Sequence, residues 1–334
     1  MAMSAVDNAT QKSAWISLIA SLVILAAKFF AYDLTHSTAV LSDATESIIN
    51  VVAALVALFV LRAVAAPADE DHPYGHGKLE YFSAAFEGGL IAFAALVIGY
   101  EAVHALLVGN QVHQPDVGLW IMAGAGVLNL ILGLYLKKVG KKHNSETLKA
   151  SGVHVIADVW TTVGVIVGLG VVAITNISWI DQVVALVVAV QLCYSGVRIV
   201  RKSAGGLIDE IEPASLAELA AAFEKHRKPW IIDIHQLKVI RSGRFHHIDA
   251  HLVVPEFWNV AQTHAESQIL EANVVSTYPF DGEIAFHVDP CEKKYCANCK
   301  MDGCLIRVKK FEFLKPFSVE HVVHGPTSAN QPHS

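Results

Sequence analysis

Residues 151–160 read SGVHVIADVW, and they set His154 and Asp158 four positions apart inside a long apolar run. On a helix that spacing puts both side chains on one face. An ionisable residue near the middle of a membrane helix costs about 2.5 to 3.5 kcal/mol on insertion scales, so two on one stripe require a partner. A divalent transition metal is one such partner, because these ions accept imidazole and carboxylate as ligands. A buried pair hydrogen-bonded only to each other is the other reading, and this stretch alone does not choose between them.

Around it the chain divides in two. Of 334 residues 53% are hydrophobic and only 17% charged, and the mean hydropathy is +0.43. Charge is nearly absent from several runs before Arg201 and returns after it. A helix needs about 20 apolar residues to cross roughly 30 Å of hydrocarbon. Six such runs can be drawn, at residues 14–32, 38–61, 84–107, 117–136, 152–174 and 179–200. The segments DLTHS, VGNQVHQPD and TNISWID between alternate pairs carry no Lys or Arg, whereas Arg62, Lys78, Lys137, Lys138, Lys141, Lys142, Lys149, Arg198, Arg201 and Lys202 lie on the other side. By the positive-inside rule both termini are cytoplasmic, as expected of a multi-pass protein of the inner or plasma membrane. The N-terminal residues offer one lysine and no small-residue cleavage site, so they read as leading into an uncleaved first span. Lys28, late in that span, is expected to snorkel to the outer interface, and the glycines of AGAGVLNLILG and VGVIVGLGVV to serve close helix packing.

Residues 1–207 therefore read as a six-helix transmembrane domain, and 208–290 as a small cytoplasmic domain. PASLAELAAAFEKH has helical spacing, with Ser215 as its cap. IIDIHQLKVI and RFHHIDAHLVV alternate around the turn RSGR, VAQTHAESQILEANVVSTY is a second helix and GEIAFHV a third strand. Helix, two strands, helix and strand make an α+β domain of ferredoxin-like type. Residues 291–334 lose regular pattern, and GPTSANQPHS reads as disordered.

Several clusters could carry chemistry. In LSDATESIINVV, Asp43, Glu46 and Asn50 share one helical face. With His154 and Asp158, Glu46 and Asn50 would offer one nitrogen and three oxygen donors, and two carboxylates to balance a divalent ion. Counted from the span ends, the two pairs differ in depth by about two turns, which tilt or shifted boundaries must absorb. The loop DEDHPYGHGK carries Asp69, Asp71, His72 and His76 at the cytoplasmic face, as a solvated acidic loop or a weak, transient metal site of the kind a cation funnel would use. In the soluble part His235 and His251 fall on strands, His264 on a helix, and His287 with Asp289 on one strand face; chance clustering among 17 histidines competes with metal binding there. The tail CEKKYCANCKMDGC spaces Cys291, Cys296, Cys299 and Cys304 as C-x4-C-x2-C-x4-C, which suits a structural zinc and, less well, an iron–sulfur cluster.

The motifs HVIAD, HPYGHGKLEYF and HVDPC make the chain resemble the cation diffusion facilitators, divalent-metal/proton antiporters, over residues 14–291. That resemblance implies a homodimer with six spans and a cytoplasmic ferredoxin-like domain. It also implies a transport site of Glu46, Asn50, His154 and Asp158, a loop site of Asp69, His72 and His76, and cytoplasmic sites drawn from His235, His251, His264, His287 and Asp289. The family usually shows Asp or His where Glu46 stands and Asp where Asn50 stands, so metal preference and proton stoichiometry do not transfer, and Asp43 becomes an alternative ligand.

The expected function is proton-coupled efflux of a divalent transition metal, zinc or iron(II), from the cytoplasm, with metal also acting as a regulatory ligand. A membrane-anchored metal sensor without transport is the alternative. A metalloenzyme is disfavoured because no H-E-x-x-H is present, and a formal net charge of −6 without a basic arm gives no basis for a nucleic-acid partner.

Overall fold

The computed structural model describes residues 2–35, 38–108, 116–175 and 179–325; for some helical residues, Asp43 and Glu46 among them, it describes the backbone alone. Two compact units divide near residue 208. The first consists of long helices, α1 (Ala2–Thr35), α2 (Thr38–Val64), α3 (Leu79–Val108), α4 (Asp116–Lys142), α5 (Glu146–Thr175) and α6 (Trp179–Leu207). Each expected run lies within one of them. Among the described residues four, α1, α2, α3 and α6, are long and apolar enough to cross a membrane. Phe59, Phe93, Tyr100 and other large side chains point outward, a surface that lipid and not water would cover.

Small residues let these helices close. A Cβ on Gly152 of α5 would sit 2.7 Å from the Lys137 backbone nitrogen of α4, and one on Gly196 of α6 would sit 2.7 Å from the Ala92 nitrogen of α3. Close backbone approach is how helices gain contact in lipid, where burial from water drives nothing. Lys28 departs from expectation. It is 2% exposed, because it falls on the buried stripe of α1 with Ser17, Ser21 and Ile24, and does not snorkel. The depth mismatch also resolves: α5 begins at Glu146, about a turn and a half before residue 152, which brings His154 and Asp158 to the level of Asn50.

The second unit runs α7 (Pro213–Lys225), β1 (Asp233–Ser242), β2 (Phe245–Val254), α8 (Val260–Thr277) and β3 (Asp281–Pro290), the expected order, then a 3₁₀ turn (Lys293–Asn298) and α9 (Val319–His324). Glu212 stands at the N-cap position of α7 without a side-chain cap bond, proline opens the first turn, and Ser215, expected as the cap, is buried inside the helix. The sheet order is β1-β2-β3, with β1 and β2 antiparallel across a two-residue turn where Gly243 holds φ +63°, and β2 and β3 parallel through α8. Leu219 and Phe223 of α7 and Leu270 and Val274 of α8 cover Ile234, Ile248 and Leu252 on one sheet face.

The segment after Pro290 is more ordered than its sequence suggests. Phe317 and Val322 are buried in the same core, with Val319 and Val323 against it. Three valines within six residues are too short a run to show periodicity. Of residues 325–334, expected to be disordered, Gly325 is ordered as the C-cap of α9, and residues 326–334 lie outside the described residues.

Candidate metal-transport site and its cytoplasmic companions

Asn50 on α2 meets His154 and Asp158 on α5. Its amide Nδ2 donates to Asp158 Oδ2, and its Oδ1 accepts from His154 Nε2 at 2.8 Å. All three residues are buried. With its hydrogen on Nε2, the imidazole leaves a lone pair on Nδ1, a buried atom with no hydrogen-bond partner among the described residues. Thr161 and Thr162 donate to the Asp158 carbonyl, back-bonding along α5. Ile49, Leu90, Ile91, Ala94 and Leu192 wall the small cavity that these polar groups line, so water is largely excluded and their charges act in a low dielectric. Glu46 and Asp43 belong to α2, and their side chains lie outside the described residues.

Among the described residues, two clusters outside the helical bundle bring three ligand-type side chains within 4.8 Å of one another. In the loop between α2 and α3, Asp69 Oδ1 lies 3.0 Å from His72 Nδ1 and Asp69 Oδ2 lies 3.5 Å from His76 Nε2. Gly75 at φ +72° turns the chain back so that His76 returns beside Asp69. Desolvation works to raise the Asp69 carboxyl, but the His72 amide and both imidazoles outweigh it and hold the group below its ordinary value.

The other cluster is a rung across the sheet. His235 pairs with His251 in register and His251 with His287, so all three side chains share a face, and Asp289 lies two residues along it. His251 Nδ1 donates to Asp289 Oδ2 at 2.8 Å, and His235 Nε2 is 3.9 Å from the same oxygen. His287 Nε2 is 3.6 Å from Asp289 Oδ1. His264 on α8 stands apart, beside a surface pocket with Trp258, Phe286 and Val288.

Residues 14–208 match the model of the cation efflux transmembrane domain, and residues 211–291 that of the cation efflux protein cytoplasmic domain. The chain belongs to the cation diffusion facilitator family. It is 34% identical to the uncharacterized transporter sll1263 of Synechocystis sp. over 83% of this chain and 89% of that one. It is 27% identical to the manganese efflux system protein MneS of Bacillus subtilis, over 85% of this chain and 97% of the relative, and 27% identical to the cation-efflux pump FieF of Cronobacter sakazakii, over 82% and 90%. As a cation diffusion facilitator it is an integral membrane protein of divalent metal cation efflux, a transporter and not an enzyme.

Both family matches end before residue 292, so most of the cysteine segment lies outside the two family domains. Cys291, Cys296, Cys299 and Cys304 line one pocket with Ile232, Tyr295 and Met301. None forms a disulfide, and among the described residues no three thiols come within 4.8 Å of one another.

Two carboxylates escaped the sequence reading. Glu80 of α3 accepts from Ser145 Oγ at 2.8 Å and from the Thr147 amide at 3.3 Å, and Glu87, fully buried, accepts from Ser151 Oγ at 2.6 Å. Ser151 sits one turn before His154, so a polar seam between α3 and α5 leads up to the triad of Asn50, His154 and Asp158. Two glutamates seven residues apart in LEYFSAAFEGG were the available signal.

Proposed function

We propose that the chain is a homodimeric exporter that carries zinc or iron(II) out of the cytoplasm in exchange for protons, with Asn50, His154, Asp158 and Glu46 as transport ligands. The observation that supports this most is the bonded triad of amide, imidazole and carboxylate in an apolar pocket. Buried polar groups of this kind in hydrocarbon are functional by default. A ligand must lose its proton before it coordinates, so His154, Asp158 and Glu46 hold either metal or protons, and that competition couples the two fluxes. Alternating access of six spans, with both termini in the cytoplasm, carries the site from one face of the inner membrane to the other. Asp69, His72 and His76 gather cations at the entrance, Asp43 stands by as a further oxygen ligand, and His235, His251, His287 and Asp289 sense the metal load. His264 joins that sensor only by way of another element, such as the second protomer. The cysteine tail holds a structural zinc.

One imidazole nitrogen among oxygen donors suits zinc and iron(II), and the neutral Asn50 amide with the likeness to MneS adds manganese as a second reading. Flux into proteoliposomes under an imposed pH gradient, across zinc, iron(II), manganese, cobalt, nickel and cadmium, tests class and cargo together. Metal movement that follows the proton gradient is the expected result. Binding without flux for every metal would leave a sensor in its place.

A further inference from the structure

The segment beyond the family's cytoplasmic domain reaches back to the histidine rung. Phe317 and Val322 are seated in the core, Ser318 Oγ accepts from the His321 amide to start α9, and the Phe317 amide donates to Glu224 on α7. Gly325, at φ +80°, passes so near His235 that a Cβ there would lie 3.3 Å from the His235 Cβ. These anchors bring His321 onto Asp233.

Asp233 and His321 are both 5% exposed. His321 Nε2 donates to Asp233 Oδ1 at 2.5 Å, while Asp233 Oδ2 lies 3.3 Å from His235 Nδ1. Among the described residues neither Oδ2 nor Nδ1 has a hydrogen-bond partner of its own, although both are buried. Such atoms are satisfied in nearly every native protein, so the two are matched to each other and a slight turn of the His235 ring completes the bond. The same turn keeps the hydrogen on Nδ1 and leaves the lone pair of His235 Nε2 aimed at Asp289.

We propose that His321 and Asp233 are positioning residues for a metal ligand: through them the C-terminal segment fixes the tautomer and direction of His235, and so sets the divalent-metal affinity of the His235, His251 and Asp289 cluster. The proposal rests on reading that cluster as a metal site. A ligating histidine commonly gives its second N–H to a carboxylate, and loss of that partner weakens binding about 10- to 100-fold. Here the carboxylate is itself held by a residue 30 positions beyond the family domain, so metal on the sheet and order in the tail stabilise each other.

Zinc titration of the full-length, metal-stripped protein against a chromophoric chelator tests this. The component of the isotherm abolished by His235→Ala is the one to follow. His321→Leu, which keeps bulk but removes the donor, is expected to weaken that component about 10- to 100-fold, whereas His321→Gln, which keeps an N–H near the Nε2 position, holds it within about threefold. Asp233→Asn serves as the second variant should His321→Leu melt the domain, with the same weakening expected. Tryptophan fluorescence melts establish that each variant is folded. If no component vanishes on His235→Ala, the metal-site reading itself is wrong. If it vanishes there but folded His321→Leu and Asp233→Asn bind as wild type, or if Gln loses as much as Leu, the positioning role is overturned.

Discussion

Asn50 of α2 donates its amide hydrogen to the carboxylate of Asp158 on α5, tying together two residues 108 positions apart. The same side chain accepts from His154, so one neutral amide orients both candidate ligands. A carboxylate in its place could accept from the imidazole but could not donate to Asp158. This chain thus builds, from an amide, a pre-oriented pair of candidate ligands. On the proposed transport reading, a divalent ion would break these hydrogen bonds and take the carboxylate of Asp158, the imidazole lone pair of His154 and the Asn50 Oδ1 as donors, with only the ionisable groups losing protons.

Substituting Asp158 or His154 by alanine is expected to reduce metal flux to the level of empty liposomes. Each change strands one end of the buried Asn50 amide, a cost of about 1 to 3 kcal/mol, so the fold should persist with a modestly lower melting temperature. Flux in proteoliposomes, with gel filtration to check the oligomer, measures this. Wild-type flux from Asp158→Ala would remove the triad from the transport route.

Asn50→Asp adds a titratable group and a unit of charge where the amide now donates. Its expected effect is a changed ratio of flux among the metals and a displaced pH profile. The same ratios and the same profile would place Asn50 outside the coordination sphere.

How much of this was readable beforehand differs by element. His154 and Asp158 announced themselves because two polar residues at helical spacing stand out in an apolar run. The rung of His235, His251 and His287 did not, because strand pairing sets it and a bulge after His235, with Gln236 at φ 51°, shifts the β1 register beyond it. Lys28 was misplaced because counting residues gives depth but not which side of a helix packs inward. His321 was invisible for a different reason: its partner lies 88 residues away, and the turn of helix that delivers it is too short to show a period.

Gly152 should tolerate no larger residue. The Cβ of any replacement would stand 2.7 Å from the Lys137 nitrogen and 2.9 Å from the Gly133 carbonyl oxygen, both backbone atoms that move only if α4 and α5 separate. Gly152→Val is expected to lose about 1 to 3 kcal/mol, the usual range for overpacking, with a fall in melting temperature and in flux. Gly89→Ala, where nothing lies within 4 Å, is the matched control and should melt as wild type.

His246 should give the soluble unit an acid-sensitive stability. Burial, and then the charge of Arg241, push its imidazole down from 6.5 to about 4, while Nδ1 bonds the Tyr278 hydroxyl at 2.8 Å and the ring stacks on Phe280. The unfolded chain binds the proton first as pH falls, so this contribution is complete above about pH 6.5, shrinks between 6.5 and 4, and is gone below. At 1.36 kcal/mol per unit it amounts to about 3 kcal/mol. His246→Phe should flatten the melting temperature between pH 6.5 and 4 in the presence of a chelator, while losing stability at pH 7 with the Tyr278 bond. An unchanged slope would show that other groups govern acid unfolding.

The cysteine segment should take up zinc by closing its four thiols. Cys296 and Cys299 are buried, Cys291 and Cys304 half-buried, and together they line one pocket, yet no three lie within 4.8 Å, whereas tetrahedral zinc needs all four at about 2.3 Å. Burial raises the Cys291 thiol above its ordinary value, so metal must displace a proton from it, and zinc addition should acidify a weakly buffered sample. Replacing Cys296 and Cys299 by serine is expected to lower zinc content by one per chain and to leave transport measurable, because His154 and Asp158 are untouched. An iron–sulfur cluster would instead colour anaerobically purified protein and fade on oxidation. Full zinc content after the double substitution would end the four-thiol site, and a folded variant without any flux would put the tail on the transport route.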